Sequence, residues 1–258
     1  MMGRYSLDMP GLIYAHSGNH RFWDLYHEKH ERHEKDKTGI FSYDSCLSWS
    51  MFPPDADGIL SIMETDWFPD DASNRLVEFI SVAWPQGHLA ENLTFIADSL
   101  GPNRNEQPRD TIRRYLATGF YKHHLSMYKR RPIYWLFSSG KQRAFQCLVY
   151  LHRYHEGTLS RMRTEYVIPL QGKMASRLDQ LADDIAAASS TSHRKRLEKE
   201  RDTLRKQHTE IQAFDEQLRH YADRRISLDL DDGVKVNYGK FGDLLAEVKA
   251  VTGGTEET

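Results

Sequence analysis

Near the start of the chain, His27 and Glu31, and His30 and Glu34, stand at i and i+4, which on a helix would put each pair on one face. That is a spacing a metal ion could use. The run from His27 to Lys37 mixes both charge signs, however, and neither an HExxH motif nor a cysteine accompanies it. A solvated, ion-paired helix face is expected, with no metal ligands. Cys46 and Cys147 sit in apolar runs without a CxxC partner and read as buried thiols. Asp70-Asp71 reads as a helix cap and Asp231-Asp232 as a turn. Gly140-Lys141 lacks the rest of GxxxxGK[ST], so no phosphate-cradling loop is assigned. No GxSxG, HxE…PCxxC, kinase, GxGxxG or EF-hand pattern is present, and no catalytic residue is assigned.

The chemistry that does stand out is cationic. The 258 residues carry a formal charge of −2, which gives no reason by itself to expect a polyanionic partner. Residues 1–108 hold 8 Lys and Arg against 17 Asp and Glu, a net of −9. Residues 109–163 hold 12 against 2, a net of +10, and residues 164–258 hold 15 against 18, a net of −3. A basic segment flanked by acidic ones is the footprint of a polyanion-binding surface. Its cations alternate with Tyr121, Tyr128, Tyr134, Trp135, Tyr150 and Tyr154, a mixture suited to phosphate contacts and stacking, although several rings, Trp135 above all, must be core. His123, His124, His152 and His155 could add charge below neutral pH. The opposing reading is a solvated face that pairs with the chain's own acidic region.

The elements that must position these groups are mostly helical. Ser17-Gly18-Asn19 can cap a helix carrying Phe22, Trp23, Leu25 and Tyr26, and residues 40–52 and 58–63 have strand or buried extended chemistry. Helices follow Asp70-Asp71, span Leu89 to Leu100 and start at Pro108, the last burying Ile112, Tyr115, Leu116, Phe120, Leu125 and Tyr128. Residues 132–137 and 144–151 form a β-hairpin about Ser138-Ser139-Gly140-Lys141. Met174, Leu178, Leu181, Ile185 and Ala188, then Leu197, Leu204, Ile211 and Leu218, form the seam of two antiparallel helices joined at 189–192. Residues 226–230 and 234–238 read as a second strand pair about Asp231-Asp232-Gly233, with a final amphipathic helix after it. The fold class is mainly α with small β elements: a helical body with a β-hairpin and a projecting antiparallel helical hairpin. Its expected parts are 1–65, a mixed segment; 66–170, a basic recognition-like region; 171–225, the coiled-coil-like hairpin; and 226–258, a C-terminal hairpin and short helix.

Residues 129–141 (KRRPIYWLFSSGK) followed by 145–154 (FQCLVYLHRY) resemble the C-terminal region of the PglX family, adenine-specific DNA methyltransferases of BREX type 1 phage-defence systems. More distantly they are similar to the corresponding part of single-chain restriction-modification enzymes. Residues 64–71 (ETDWFPDD) and 228–241 (LDLDDGVKVNYGKF) fit the same family. The family's FxGxG loop and NPP[YF] motif are missing; Phe52-Pro53-Pro54-Asp55 has only the two prolines. The resemblance implies a fragment, a split gene product or the non-catalytic end of a longer enzyme. Full-length members use S-adenosylmethionine, and no cofactor is expected in this chain.

The expected function is DNA recognition and scaffolding, with Lys122, Lys129, Arg130, Arg131, Lys141, Arg143, Arg153, Arg161 and Arg163 including phosphate-positioning contacts. The expected partners are double-stranded DNA, the catalytic methyltransferase domain and other defence-system proteins. The alternatives are a protein-interaction module that docks through its helical hairpin, and an enzyme whose motif is not recognisable. No run reaches the roughly 18 apolar residues of a membrane span, and a cytoplasmic location is expected.

Overall fold

Leu76, Phe79 and Ile80, Leu93 and Ala97, and Ile112, Tyr115 and Leu116 recur at helical spacing and are buried, each set lining one face of a helix. The computed structural model describes residues 57–83 and 87–252, which divide into two compact units. The first contains α1 (Ala72–Ala83), α2 (Leu89–Ser99), α3 (Pro108–Thr118) and α4 (Phe120–Met127). Proline at the first position of α3 costs no hydrogen bond, as expected, and α3 packs against the other three helices. Glu106 pins the preceding loop. Its carboxylate accepts from the Arg114 guanidinium at 2.8 and 3.0 Å, from Asn103 N at 2.8 Å and from Thr111 Oγ1 at 3.1 Å. Arg114 above all, then Asn103, holds the Glu106 carboxyl down at about 2.

The second unit comprises residues 57–71 and the chain from Tyr128 onward. Strands β1 (Ile59–Ser61), β2 (Tyr134–Ser138) and β3 (Gln146–Tyr150) form an antiparallel sheet ordered β1-β3-β2. β2 and β3 pair from Tyr134↔Tyr150 to Ser138↔Gln146, which is the expected hairpin; β1 covers the other edge of β3. Helix α5 (Thr158–Arg161) runs through a π-helical stretch, Met162–Val167, into α6 (Ile168–Ala187). Pro169 accounts for the π stretch: it has no N–H for the preceding turn, and the widened turn makes room for its ring. Helix α7 (Thr191–Asp223) returns against α6.

The helical hairpin forms as the seam spacing requires. Met174, Leu181, Leu197, Leu204, Ile211 and Leu218 are buried, and Ser190 Oγ caps α7 by accepting from His193 N at 3.1 Å. At 33 residues α7 is about 50 Å long, against about 30 Å for the 20 residues of α6. Its C-terminal part is no projection, because Phe214 and Ala222 join Ile211 and Leu218 in burial and α7 packs on α5 and the π stretch.

The strand pair expected over 226–238 is corrected by the structure. Leu230–Asp232 is a 3-10 turn, and Gly233–Gly239 is α8. The alternation of Val234 and Val236 suggested a strand, but Val236 is 55% exposed while Tyr238 is fully buried. Asn237 takes over the polar groups a hairpin would have paired: its amide accepts from Asp229 N at 3.2 Å and donates to Asp229 O and, at 2.9 Å, to Gly233 O. Packing therefore overrides β-propensity. The open edge of β2 is closed instead by Ala246 N donating to Leu136 O at 2.8 Å, and α9 (Val248–Thr252) follows.

The expected helix that carries Phe22 to Tyr26 and the His and Glu pairs, the strands of 40–52, Cys46 and Phe52-Pro53-Pro54-Asp55 lie outside the described residues. Among the described residues, no helix is long and apolar enough to cross a membrane, and no cluster of His, Cys, Asp and Glu is arranged to hold a metal.

Candidate nucleic-acid interface

The three sequence stretches that carry the family resemblance meet around the β2-β3 hairpin. On one side Trp135 packs edge-on against Tyr238 (5.2 Å) and Phe241 (5.7 Å), Phe137 against Phe241 (5.5 Å), and Tyr154 against Phe241 (5.4 Å). In a second cluster Phe145 contacts Phe214 (6.0 Å) and Tyr166 (6.4 Å), and Phe68 contacts Tyr166 (5.4 Å), with Lys173 Nζ 5.0 Å above the Phe68 ring. Much of each motif is thus core: Trp135 is buried, as the sequence required, and Tyr134 and, in the first unit, Tyr121 are buried too, so neither tyrosine offers a stacking face.

The turn of this hairpin is held by a residue that sequence reasoning missed. Glu210 of α7 accepts from Ser139 Oγ at 2.7 Å, Gln142 N at 2.7 Å and Ala144 N at 3.2 Å. Gly140 has φ +129°, and a side chain there would sit 3.3 Å from the Glu210 carboxylate. Gly140 and Ser139 are therefore explained by the latch and need no phosphate. The one sequence signal was the place of Glu210, directly before the seam position Ile211.

The nine candidate cations fall into three groups. Lys122 belongs to the first unit and is exposed; Lys129, Arg130, Arg131 and Lys141 belong to the second and are exposed, and none of these five side chains has an ion pair among the described residues. Arg143, Arg161 and Arg163 are matched to carboxylates: Arg143 to Glu64 at 3.3 Å, Arg161 to Glu165 at 3.1 Å, and Arg163 to Asp215 through two parallel bonds of 2.8 and 3.1 Å. Arg153 is half-buried and lies over Gly58, where a Cβ would come within 2.7 Å of its own. Of these three, Arg143 pairs with the acidic 1–108 region, as the opposing reading allowed, whereas Arg161 and Arg163 find their carboxylates within 164–258.

Lys129 and Arg130 share an unusual backbone. Arg131 N donates to Tyr128 O at 2.8 Å, closing a four-residue turn whose central residues have φ of +49° and +62°. That is the φ signature of a type I′ turn, which ordinarily takes Asn-Gly because L side chains are strained there. Here it presents two long cations to solvent. Of the six non-glycine residues with positive φ among the described residues, four are basic: Lys129, Arg130, Arg143 and Arg225.

Of the four histidines in the basic segment, His124 does not supply the charge expected of it. His124 is only 1% exposed and stacks on Phe120 and Tyr121 (5.7 and 6.2 Å), and its desolvation lowers its pKa to about 4. It stays neutral where the sequence reading would have let it charge. His123 is exposed, with Nδ1 2.7 Å from Tyr115 Oη, and His152 and His155 are exposed. Cys147 is fully buried and its thiol is pushed up by that burial, which is the expected inert role.

Fold and site together define a helix-dominated module with an aromatic-cored sheet and an exposed basic turn. No family model matches the chain. It is 53% identical over 261 residues to the adenine-specific methyltransferase BrxX of Escherichia coli O9:H4 (strain HS), covering 99% of this chain and 20% of that protein. It is 38% identical over 243 residues to the adenine-specific methyltransferase PglX of Lacticaseibacillus casei (strain Zhang), covering 93% of this chain and 18% of that protein. The chain spans about a fifth of the length of these relatives. The resemblance to PglX-type BREX methyltransferases read from the motifs therefore extends along nearly the whole sequence.

Proposed function

We propose that the chain is the DNA-recognition and scaffolding C-terminal segment of a longer PglX-like, adenine-specific DNA methyltransferase of a phage-defence system. Catalysis and the S-adenosylmethionine site belong to the rest of that enzyme. The described residues do not fit the methyl donor: their strands are all antiparallel, and none leads through a glycine-rich loop into a helix. The partners would be duplex DNA, the catalytic domain and companion defence proteins, all in the cytoplasm where the DNA lies.

The observation that carries the DNA reading is the Tyr128–Arg131 turn. A purely structural turn would relax by taking Asn-Gly, whereas this one holds Lys129 and Arg130 in strained backbone and leaves both cations and Arg131 exposed, without a carboxylate among the described residues. Cations so placed suit phosphate positioning, with base readout supplied elsewhere. The test is binding of the 258-residue chain to a labelled mixed-sequence duplex across a salt series. Six phosphate contacts would give a slope of about −5 in log K against log salt, and Lys129→Gln/Arg130→Gln/Arg131→Gln should flatten it by about 2 to 3. Absence of binding at low salt, or a salt-independent affinity, would refute the reading.

A second reading, a protein-docking module, draws support from the N-terminal half of α7, whose only buried residues are the seam leucines Leu197 and Leu204. Pull-down of the rest of the enzyme by a chain with shortened arms separates the two, since intact association would remove the hairpin from the docking surface.

A further inference from the structure

Arg224 and Arg225, at the end of α7, lie outside the basic sequence segment, yet the fold fastens them to it. Tyr154 Oη donates to Ile226 O at 2.9 Å, and Arg225 Nε lies 3.3 Å from Glu156 Oε2. These two contacts bring residues about 70 positions apart together, placing the end of α7 beside the segment that carries His152, Arg153 and His155.

The local chemistry is not that of an ordinary helix end. Arg224 is the C-cap, and Arg225, the next residue, has φ +47°, a position that helices commonly give to glycine or asparagine. The Arg225 side chain is 75% exposed, so packing does not explain its choice. A cation near a helix C-terminus is favourable, but Arg224 already supplies one without strain. The Arg224 guanidinium lies 5.4 Å from the Tyr221 ring centroid, which orients a planar cation while leaving the residue exposed. Glu156 is the carboxylate that pairs with Arg225, and Asp223 precedes Arg224 in the chain, while Arg219 lies on the last turns of the same helix.

We infer that Arg224 and Arg225 form a second basic contact of the nucleic-acid surface, holding the phosphate backbone of a DNA duplex beside the Tyr154–Glu156 stretch to which they are fastened. This inference rests on the DNA reading above. Glu156 would then hold Arg225 in place when no phosphate is present and be exchanged for phosphate on binding.

The experiment compares the 258-residue chain with variants on the same labelled duplex across a salt series, with Tm measured alongside. Arg224→Gln/Arg225→Gln should lower affinity about tenfold and flatten the salt slope by about 2, at about 0.9 per lost contact. Arg225→Gly should keep or raise Tm while lowering affinity, a combination that a capping role alone does not give. Arg225→Lys should stay within about threefold of the parent, and Glu156→Gln should bind at least as tightly. If the Gln pair leaves affinity and slope unchanged while Lys129→Gln/Arg130→Gln/Arg131→Gln flattens its own slope, the inference is overturned and the DNA reading survives. If the parent itself does not bind the duplex, both are overturned.

Discussion

Glu210 is the residue that holds the β2-β3 turn. Its removal would leave Gln142 N, Ala144 N and the Ser139 hydroxyl short of an acceptor at a partly buried turn. Glu210→Ala should cost about 2 kcal/mol in denaturant unfolding and Glu210→Gln about half that, since one acceptor oxygen remains. Equal losses would mean that side-chain packing, and not the hydrogen bonds, matters. At Arg130, with φ +62°, Arg130→Gly should instead stabilise by about 0.5–1 kcal/mol while weakening duplex binding. His124 sets a pH dependence. Its ordinary value is 6.5 and burial lowers it to about 4, so between these values the unfolded chain takes up a proton that the folded chain refuses. Stability from this group is therefore full above about 6.5, falls by up to about 1.4 kcal/mol per pH unit as pH drops, and levels off below about 4. Glu106 acts later: its carboxyl is depressed from 4.5 to about 2, so its stabilisation is present above 4.5 and lost below it. Unfolding measured at pH 7 and pH 5 isolates the histidine. His124→Gln should lose less stability than the parent between these two points, and an identical loss would contradict the burial argument.

At the scale of elements, the helical hairpin was legible because its seam needs only apolar residues at alternating threes and fours, a local pattern independent of what lies nearby. The division of labour along α7 was not legible. Leu197 and Leu204 are the only buried residues of its N-terminal half, whereas Ile211, Phe214, Leu218 and Ala222 crowd four buried side chains into its last 13 residues, where Phe214 also meets Phe145 of the hairpin. Removing one heptad from each arm, 181–187 and 191–197, should therefore preserve cooperative unfolding with an intact near-ultraviolet aromatic signal, while removing 174–218 should abolish folding. Loss of cooperativity on the short deletion would show that the distal arms support the body. The C-terminal strand pair failed for the converse reason: Val234-Lys235-Val236 has strand chemistry, but the burial of Tyr238 against Trp135 and the amide of Asn237 select a helix.

For the molecule as a whole, similarity along nearly the full chain to about a fifth of each methyltransferase fits a module that works as part of something larger. Fusion or co-expression with the remaining part of such an enzyme should raise duplex affinity over either piece alone, because linked sites bind with a high effective concentration. Simple additivity of the two affinities, measured by titration, would argue against a shared DNA path.

The sequence by itself determined the helix-rich class, the β2-β3 hairpin, the coiled-coil seam and the concentration of cations in 109–163, because periodicity and local charge are properties of neighbouring residues. It could not say which cations are engaged. Only the tertiary structure paired Arg163 with Asp215 and Arg143 with Glu64, left Lys129, Arg130 and Arg131 in solvent, buried His124, and brought Arg225 to Glu156. Ion pairing and desolvation depend on distance in space, and segments some 50 to 80 residues apart become neighbours only when the aromatic core around the hairpin draws them together.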